Sequence, residues 1–198
     1  EAADGGAFSF EQGTSGVELQ FHDGATKSRI ERAITFNNSL TYLTVSRDRG
    51  SENWGTNSYN LAGPVTLADK TELRVKPFDS YGKRLGQVTL SGPVSGSGKF
   101  SVAGKPDSPA RGLACLAASN NTYTGGTVVK GTGNLGLLLY YPTSLPSLDN
   151  TTVDDGYLAA RLGADSDGSE RWTENDIWRF MNADIYSNLA HFSLDATD

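Results

Sequence analysis

The feature that most constrains this chain is its rhythm of very short apolar segments separated by glycine- and asparagine-rich turns. In residues 120–129 a polar turn and a pair of glycines lead directly into a β-branched segment that begins at Thr127. The same order of strand, Ser/Gly turn and strand runs through residues 88–100 and continues over 113–118. Strands this short cannot bury a core by themselves, so they must stack on neighbouring strands. The rhythm therefore predicts an all-β fold.

Alternation of apolar and polar residues extends the same prediction to the N-terminal part of the chain. Residues 17–22 place every second side chain on an apolar face, and residues 30–36 and 40–45 predict two further strands. Glycine makes up 23 of the 198 residues and supplies the backbone freedom that tight corners need. We expect an N-terminal β region over residues 1–60 and a strand-repeat region over 61–198, or a single continuous domain.

One helix is predicted near the C-terminus. Thr173 is a favourable N-cap residue. Ile177, Met181 and Ile185 then recur every four residues as an apolar stripe, which Trp178 and Phe180 widen. The pattern predicts an amphipathic helix over about residues 174–186. Stacked parallel strands leave open edges that natural proteins cover, and we expect this helix to lay its apolar stripe over one of them.

Composition and charge exclude several classes of function. The net charge of −6, a pI near 4.9 and the absence of any Lys/Arg cluster longer than two residues argue against nucleic-acid binding. No apolar run approaches the roughly 18 residues that cross a bilayer, so we expect no membrane insertion by this chain. Cys115 is the only cysteine, and His22 and His191 lie at opposite ends of the chain. We expect no disulfide, no zinc site and no cofactor, and a buried, inert thiol at Cys115.

Residues 121–127, Asn-Thr-Tyr-Thr-Gly-Gly-Thr, and the strands around them in 61–139 resemble the autotransporter-associated β-strand repeat of large bacterial cell-surface and secreted proteins. Residues 156–197, with a Trp-Thr helix start at Trp172, resemble the segment that often follows these repeats. The resemblance implies a short right-handed parallel β-helix with one C-terminal amphipathic helix. A two-sheet β-sandwich or jelly roll is the alternative fold. Residues 105–111 interrupt the family pattern, and we expect irregular stacking there.

The same resemblance implies a location and a role. It implies a secreted or bacterial cell-surface protein that acts as a β scaffold or adhesion module and presents loops to host glycans or proteins. The polar segment 47–60 is predicted to be a surface excursion, in which Trp54 and Tyr59 could stack on sugar rings. The competing interpretation is that both aromatic side chains anchor the core or an interface.

The acidic turns suggest a second class of function. Asp154 and Asp155 are adjacent, and two neighbouring carboxylates can share a proton as acid and base. Together with Asp165 and Asp167 they are candidate catalytic residues of an acidic hydrolase, either an aspartic-type peptidase or a glycan hydrolase acting on a glycoprotein such as mucin. The Asp-Thr/Ser-Gly loop of aspartic proteases occurs nowhere in the chain. Whether the chain is an enzyme therefore stays open.

A calcium site is a third hypothesis. Asp165, Asp167 and Asp176 offer oxygen ligands, the first two at alternate positions, as a calcium loop does. Glu170 stands where a calcium-binding helix–loop–helix needs its sharp-turn glycine. The competing interpretation is a solvated turn that leads into the helix. A calcium-stabilised binding module is thus the alternative to a metal-free scaffold.

Overall fold

The computed structural model describes nine segments of the chain, residues 8–10, 17–22, 27–37, 40–46, 57–76, 86–103, 112–131, 135–162 and 172–195. Within them lie one helix, α1 (Glu174–Met181), and eighteen strands. The strands, in chain order, are β1 (Phe8–Phe10), β2 (Val17–His22), β3 (Lys27–Ile30), β4 (Ile34–Phe36), β5 (Thr41–Ser46), β6 (Asn57–Leu61), β7 (Val65–Leu67), β8 (Glu72–Lys76), β9 (Gly86–Leu90), β10 (Val94–Gly96), β11 (Lys99–Ala103), β12 (Gly112–Leu116), β13 (Thr127–Lys130), β14 (Leu135–Leu139), β15 (Thr151–Asp154), β16 (Tyr157–Arg161), β17 (Tyr186–Ser187) and β18 (His191–Asp195). The described chain is mainly β, as predicted.

The strands form three sheets that the chain visits in rotation. Sheet A has the order β1-β4-β7-β10, sheet B the order β2-β5-β8-β11-β13-β15-β17, and sheet C the order β3-β6-β9-β12-β14-β16-β18. We call one passage through the sheets a circuit. Every strand pair is parallel, whereas a sandwich or jelly roll pairs its strands antiparallel. All three sheets extend across residue 60, where the boundary between two regions is predicted.

The core consists of side-chain ladders that run from circuit to circuit. In sheet B the register aligns five fully buried residues, Leu43, Val75, Val102, Val129 and Val153. In sheet C it aligns four buried leucines, Leu61, Leu90, Leu116 and Leu139. Aliphatic side chains pack well at the strand spacing of about 4.8 Å, and each buried one contributes about 2 kcal/mol. The alternation in the sequence therefore marks the inward face of each circuit.

A repeated corner joins sheet C to sheet A. The sequence Leu-x-Gly-Pro-Val occurs at 61–65 and again at 90–94, and the two copies stack on each other. The carbonyl of Leu61 accepts a hydrogen bond from the backbone N–H of Gly92 at 3.1 Å. A Cβ at Gly92 would lie 2.0 Å from the carbonyl oxygen of Gly63. Glycine is needed here because two backbones meet, not because of an unusual φ angle.

Residues 121–127, the signature segment, continue the stack where sheet A ends. The backbone N–H groups of Thr122 and Thr124 donate to the carbonyls of Val94 and Gly96, at 2.8 and 2.9 Å. These bonds extend the pairing of β10 by one more layer, although the segment does not form a regular strand. The motif that carries the family resemblance therefore has a stacking role.

The buried side chain of Asn121 links three successive circuits. Its Oδ1 accepts from the backbone N–H of Val94 at 2.7 Å, and its Nδ2 donates to the carbonyls of Ala118 at 3.0 Å and Ser144 at 2.8 Å. Val94 belongs to the preceding circuit and Ser144 to the following one. One asparagine thus satisfies three backbone groups in the interior, where each needs a partner.

Helix α1 is shorter than predicted, and of its predicted apolar face it buries Phe180 rather than Met181. It spans Glu174–Met181 rather than 174–186, because the chain leaves the helix to bring β17 against β15. Met181 is 51% exposed, and Phe180 is the residue that α1 buries. Ile185 is buried but lies beyond the helix. The predicted stripe is therefore wrong, since the helix does not reach its third member.

In the last circuit, α1 lies on the side of the stack where sheet A has its strands in the first four circuits. Phe180 packs against Trp172 and Phe192, with ring centroids 5.1 and 5.7 Å away. In the described part of the chain, β17 and β18 remain the terminal strands of sheets B and C. No helix within the described segments is both long enough and apolar enough to cross a membrane.

The predicted irregularity near residue 105 falls in residues 104–111, outside the described segments. The strands on either side keep the register of their neighbours. Phe100 in β11 aligns with Leu73, and Ala114 in β12 aligns with Val88. The strands on both sides of residues 104–111 are thus in register with their neighbours, and the irregularity expected within those residues stays a prediction.

Candidate functional site

Those predicted site residues that the structure describes do not gather in one place. Trp54, Asp165 and Asp167 lie outside the described segments. The others occupy three separate parts of the fold: Tyr59 in β6, Asp154 and Asp155 at the end of β15 and in the turn after it, and Asp176 in α1. Each of these described residues therefore has its own set of neighbours.

Tyr59 is part of the core. It has 3% of its side chain exposed and faces inward, in register with Val88. The predicted excursion over 47–60 is therefore corrected at its C-terminal end, because residues from Asn57 onward form β6. A ring in this position is not presented to a sugar from solvent.

Asp154 ends β15 on the outer face of sheet B. Its carboxylate lies 3.1 Å from Nζ of Lys130 and accepts hydrogen bonds from Ser187 Oγ at 3.3 Å and from the amide of Asn188. The bond from Lys130, followed by that from Asn188, holds the pKa of Asp154 below its ordinary 3.8. A proton shared between carboxylates would raise one of their pKa values instead. Asp154 therefore has the surroundings of a permanently charged ion-pair partner.

Asp155 forms the corner between β15 and β16. Its φ of +54° lies in the left-handed region, which aspartate tolerates better than most side chains. Its backbone N–H donates to the carbonyl of Ser187 at 3.4 Å, and the next residue, Gly156, accepts from the N–H of His191 at 3.2 Å. The acidic pair thus has a structural use at a corner between stacked circuits.

Asp176 belongs to the capping box of α1. Its carboxylate accepts from the backbone N–H of Thr173 at 3.0 Å and from the Thr173 hydroxyl at 2.6 Å, while its own N–H donates to that hydroxyl at 3.2 Å. This arrangement satisfies donors at the start of the helix. Among the described residues, no group of three or more His, Cys, Asp or Glu side chains is arranged to hold a metal ion.

Charged and polar side chains line the outer face of sheet B. We call this set the polar strip; its members are Tyr42, Glu72, Arg74, Lys99, Ser101, Lys130 and Asp154. Two ion pairs join neighbouring strands within it, Lys99 to Glu72 and Lys130 to Asp154, so donors and acceptors face each other across the strand spacing of about 4.8 Å. A surface of this kind can bind a hydroxyl-rich or polar partner through many weak contacts.

Glu72 is the centre of the polar strip. Its carboxylate lies 2.8 Å from Nη2 of Arg74 and 3.0 Å from Nζ of Lys99, and it accepts from Ser101 Oγ at 2.6 Å. Burial alone would raise the pKa of Glu72, but the hydrogen bonds from Ser101, Arg74 and Lys99 together outweigh it and lower the pKa from 4.5. The guanidinium of Arg74 also lies 5.6 Å from the ring centroid of Tyr42. Three neighbours, Arg74, Lys99 and Ser101, therefore hold the Glu72 carboxylate in its charged form.

Replacing Glu72 with glutamine is expected to lower the free energy of unfolding by about 1 kcal/mol at neutral pH, because solvent screens part of the ion pairing. The folded-state pKa lies below 4.5. The contribution of Glu72 is therefore present above that pH and is lost as the pH falls through the folded-state pKa. Urea unfolding from about pH 6 to about pH 3 measures both effects.

The matched control for this variant is Glu31→Gln, which removes a carboxylate from an exposed pair with Arg29. It should leave stability within about 0.5 kcal/mol of the parent chain. Equal effects of the two substitutions at every pH would show that Glu72 has no special role.

A cleft of about 720 Å³ lies between the loop over 145–151 and the end of α1. Arg179 and Asp184 line it on one side and Ser147 on the other, with apolar side chains between them. The guanidinium of Arg179 lies 3.7 Å from the carboxylate of Asp176, and the Arg179 side chain is 55% exposed. The volume lies in the range of about 300–1,000 Å³ typical of small-molecule sites. A smaller cleft of about 400 Å³ adjoins it along the signature segment.

The outer face of sheet C carries a second, small apolar cluster. Cys115, Leu138 and Ala159 are buried there, and Leu113 and Tyr157 pack against them. Burial raises the pKa of the Cys115 thiol to about 12, so the thiol stays protonated near neutral pH. The prediction of a buried thiol is confirmed, and its chemistry is that of an unreactive core residue.

Neither the polar strip nor the cleft is visible in the sequence as a cluster. Lys130 and Asp154 belong to different circuits, as do Ser147 and Arg179, and stacking brings each pair together. The sequence carries one local sign of the polar strip. In the strands of sheet B, positions between the inward-facing residues carry Arg74 and other polar side chains.

No relative of this chain supports the assignment of these surfaces. Comparison with known protein families, with curated proteins and with solved structures found no match to this chain.

Proposed function

We propose that this chain is a β scaffold and adhesion module of a bacterial secreted or cell-surface protein, which presents its loops and outer faces to host glycans or proteins. The observation that carries the proposal is the in-register stack of parallel strands, in which sheets B and C each continue over seven strands. A stack of this kind is an extended, rigid support whose surface groups recur from layer to layer. Such a support suits repeated weak contacts better than a single reaction centre.

The proposed architecture is a short right-handed parallel β-helix. The rotation of the chain through three parallel sheets supports a helical path, and the strong right-handed preference of parallel strand connections gives the hand. The stacking role of Asn121 and of the N–H groups of Thr122 and Thr124 supports the resemblance to the autotransporter-associated repeat. That resemblance is the basis for the proposed bacterial and extracellular origin.

The proposed contact surfaces are the cleft and the polar strip. In the cleft, Arg179 offers donors, Asp184 offers acceptors and Ser147 offers both, next to apolar side chains. This combination suits a sugar, which presents hydroxyl groups at its edges and C–H groups on its faces. The ion-paired state of Asp154 speaks against an acid–base pair with Asp155, so it favours binding over hydrolysis.

Binding to immobilised host glycans and glycoproteins, including mucin, tests this proposal. We expect saturable binding by the intact chain that weakens several-fold in the cleft variants Arg179→Ala and Asp184→Ala. The control is Arg29→Ala, an exposed side chain in β3 that lies far along the stack from the cleft. Absence of binding to every glycan and glycoprotein tested would overturn the adhesive part of the proposal.

The same incubations also test the hydrolytic alternative. Mucin fragments released between about pH 4 and about pH 8 would indicate hydrolysis. If that release disappears in a variant with Asp154, Asp155, Asp165 and Asp167 all replaced by asparagine, and the variant keeps a native circular dichroism spectrum, the chain is a hydrolase and the scaffold proposal is wrong.

A further inference from the structure

Several large apolar side chains are exposed at the end of the stack that holds β17 and β18. All those found among the described side chains follow β16: Leu162, Trp178, Met181, Leu189 and Leu194. Leu194 follows Ala160 in an inward-facing ladder. Ala160 is fully buried, whereas Leu194 is 49% exposed. The core is therefore incomplete at this end, and apolar surface concentrated in this way marks an interaction site.

The same end presents a strand edge. In the described segments no strand pairs with the outer side of β18. The N–H of His191 donates to Gly156 and the carbonyl of Asp195 accepts from Leu162, so alternate residues of β18 point their backbone groups toward β16. The intervening residues, Phe192 and Leu194, consequently point theirs away from β16, toward the free edge.

We propose that two copies of this chain associate end to end through β18, as an antiparallel pair with Ser193 on the two-fold axis. In this register Phe192 lies opposite Leu194 of the second copy, and these residues exchange backbone hydrogen bonds through the groups that point to the free edge. The imidazole of His191 lies opposite the carboxylate of Asp195 of the second copy. The order His-Phe-Ser-Leu-Asp is thus self-complementary, since apolar residues meet apolar ones and a basic residue meets an acidic one.

A two-fold pair fits the ends of the stack better than a head-to-tail arrangement. If a second copy continued the parallel register, Ile30 would follow Leu194 in its ladder and Glu31 would follow Asp195, which brings like charges together. Helix α1 would also face β1, and a helix offers that strand no edge to pair with. A two-fold interface uses the same patch on both copies and closes as a dimer. The dimer would carry two polar strips and two clefts, and so could bind bivalently.

Sedimentation analysis of the intact chain tests the dimer. We expect a mass of twice the 21.1 kDa chain at micromolar concentrations, and a single-chain mass for Leu194→Lys, because a charge on a strand edge opposes pairing. The control Thr152→Lys adds the same charge at an exposed position in β15 and should remain dimeric. A single-chain mass for the parent at all concentrations, a dimeric Leu194→Lys variant, or a series of growing oligomers would each overturn the proposal.

A cross-link tests the register. Directly opposite residues in a non-hydrogen-bonded antiparallel pair have Cα atoms about 4.5 Å apart, which a disulfide can span. Ser193→Cys should therefore form a covalent dimer on mild oxidation, detected on a non-reducing gel after alkylation. Ser187→Cys, an exposed position on β17, should not, and the buried Cys115 should not contribute. A dimer that does not cross-link at Ser193 would overturn the proposed two-fold register.

Discussion

Replacing Asn121 with alanine is expected to lower the free energy of unfolding by about 3–5 kcal/mol. The substitution leaves the N–H of Val94 and the carbonyls of Ala118 and Ser144 without their partner in the interior. Each buried backbone group left unpaired costs about 1–3 kcal/mol. Because these groups belong to three circuits, the loss weakens two layer contacts at once. Urea unfolding monitored by circular dichroism measures the change.

The neighbouring asparagine provides the control. Asn120 is exposed, so Asn120→Ala should change stability by no more than about 0.5 kcal/mol. Asn121→Asp is the diagnostic variant, because a carboxylate can still accept from Val94 but cannot donate to the two carbonyls. It should be at least as destabilising as alanine near neutral pH, since it also buries a charge. If Asn120→Ala and Asn121→Ala prove equally mild, the asparagine does not hold the circuits together.

Strand positions could be predicted from the sequence because the alternation has a simple physical origin. Each inward-facing residue must fill the space above its counterpart in the next circuit, so buried residues recur at every second position of β7 and β13. β14 does not show this alternation, because all five of its residues are buried. Its outward-facing Leu138 is covered together with Cys115 in the cluster on sheet C. A continuous apolar run does not reveal which of its faces is the core.

The length of the helix could not be predicted because the deciding contact is not local. The four-residue spacing of Ile177, Met181 and Ile185 favours a longer helix, and nothing in those residues marks its end. The chain stops the helix at Met181 so that Tyr186 can pair with Val153 in β15, a full circuit away. Pairing between circuits outweighs the weak helical preference of the polar residues that follow Met181.

The candidate site could be predicted only in part, for the same reason. The acidic turn at Asp154 was visible, but its partners Lys130 and Asn188 lie in the circuits before and after it. Those partners change its chemistry from a candidate acid to an ion-paired anion with a lowered pKa. In a stacked fold, the neighbours that shift the pKa of a side chain lie in the preceding and following circuits, far from it in the sequence. Such neighbours can be paired from the sequence only when the length of each circuit is known.

Replacing Gly92 with alanine is expected to destabilise the chain by more than about 3 kcal/mol, because the new methyl group has no space. Its Cβ would lie 2.0 Å from the carbonyl oxygen of Gly63, which is backbone and cannot rotate away. Relief requires the two circuits to separate at their corner, which would also break the hydrogen bonds that Ser91 and Gly92 donate to Leu61. The melting temperature and urea midpoint of the variant, measured against the parent chain, report the loss.

Two further substitutions separate this steric effect from general damage to the corner. Gly63→Ala should be as destabilising, because its Cβ would lie 2.1 Å from the carbonyl oxygen of Arg32 in the preceding circuit. Ser91→Ala adds no atoms and removes one hydrogen bond, 2.7 Å long, to the side chain of Asn60, so it should cost about 1 kcal/mol.

If Gly92→Ala were no worse than Ser91→Ala, the circuits would not be in close contact at this corner. The repeated Leu-x-Gly-Pro-Val sequence would then reflect turn preference alone. Large and equal losses at both glycines would instead show that direct backbone contact sets the spacing of the stack.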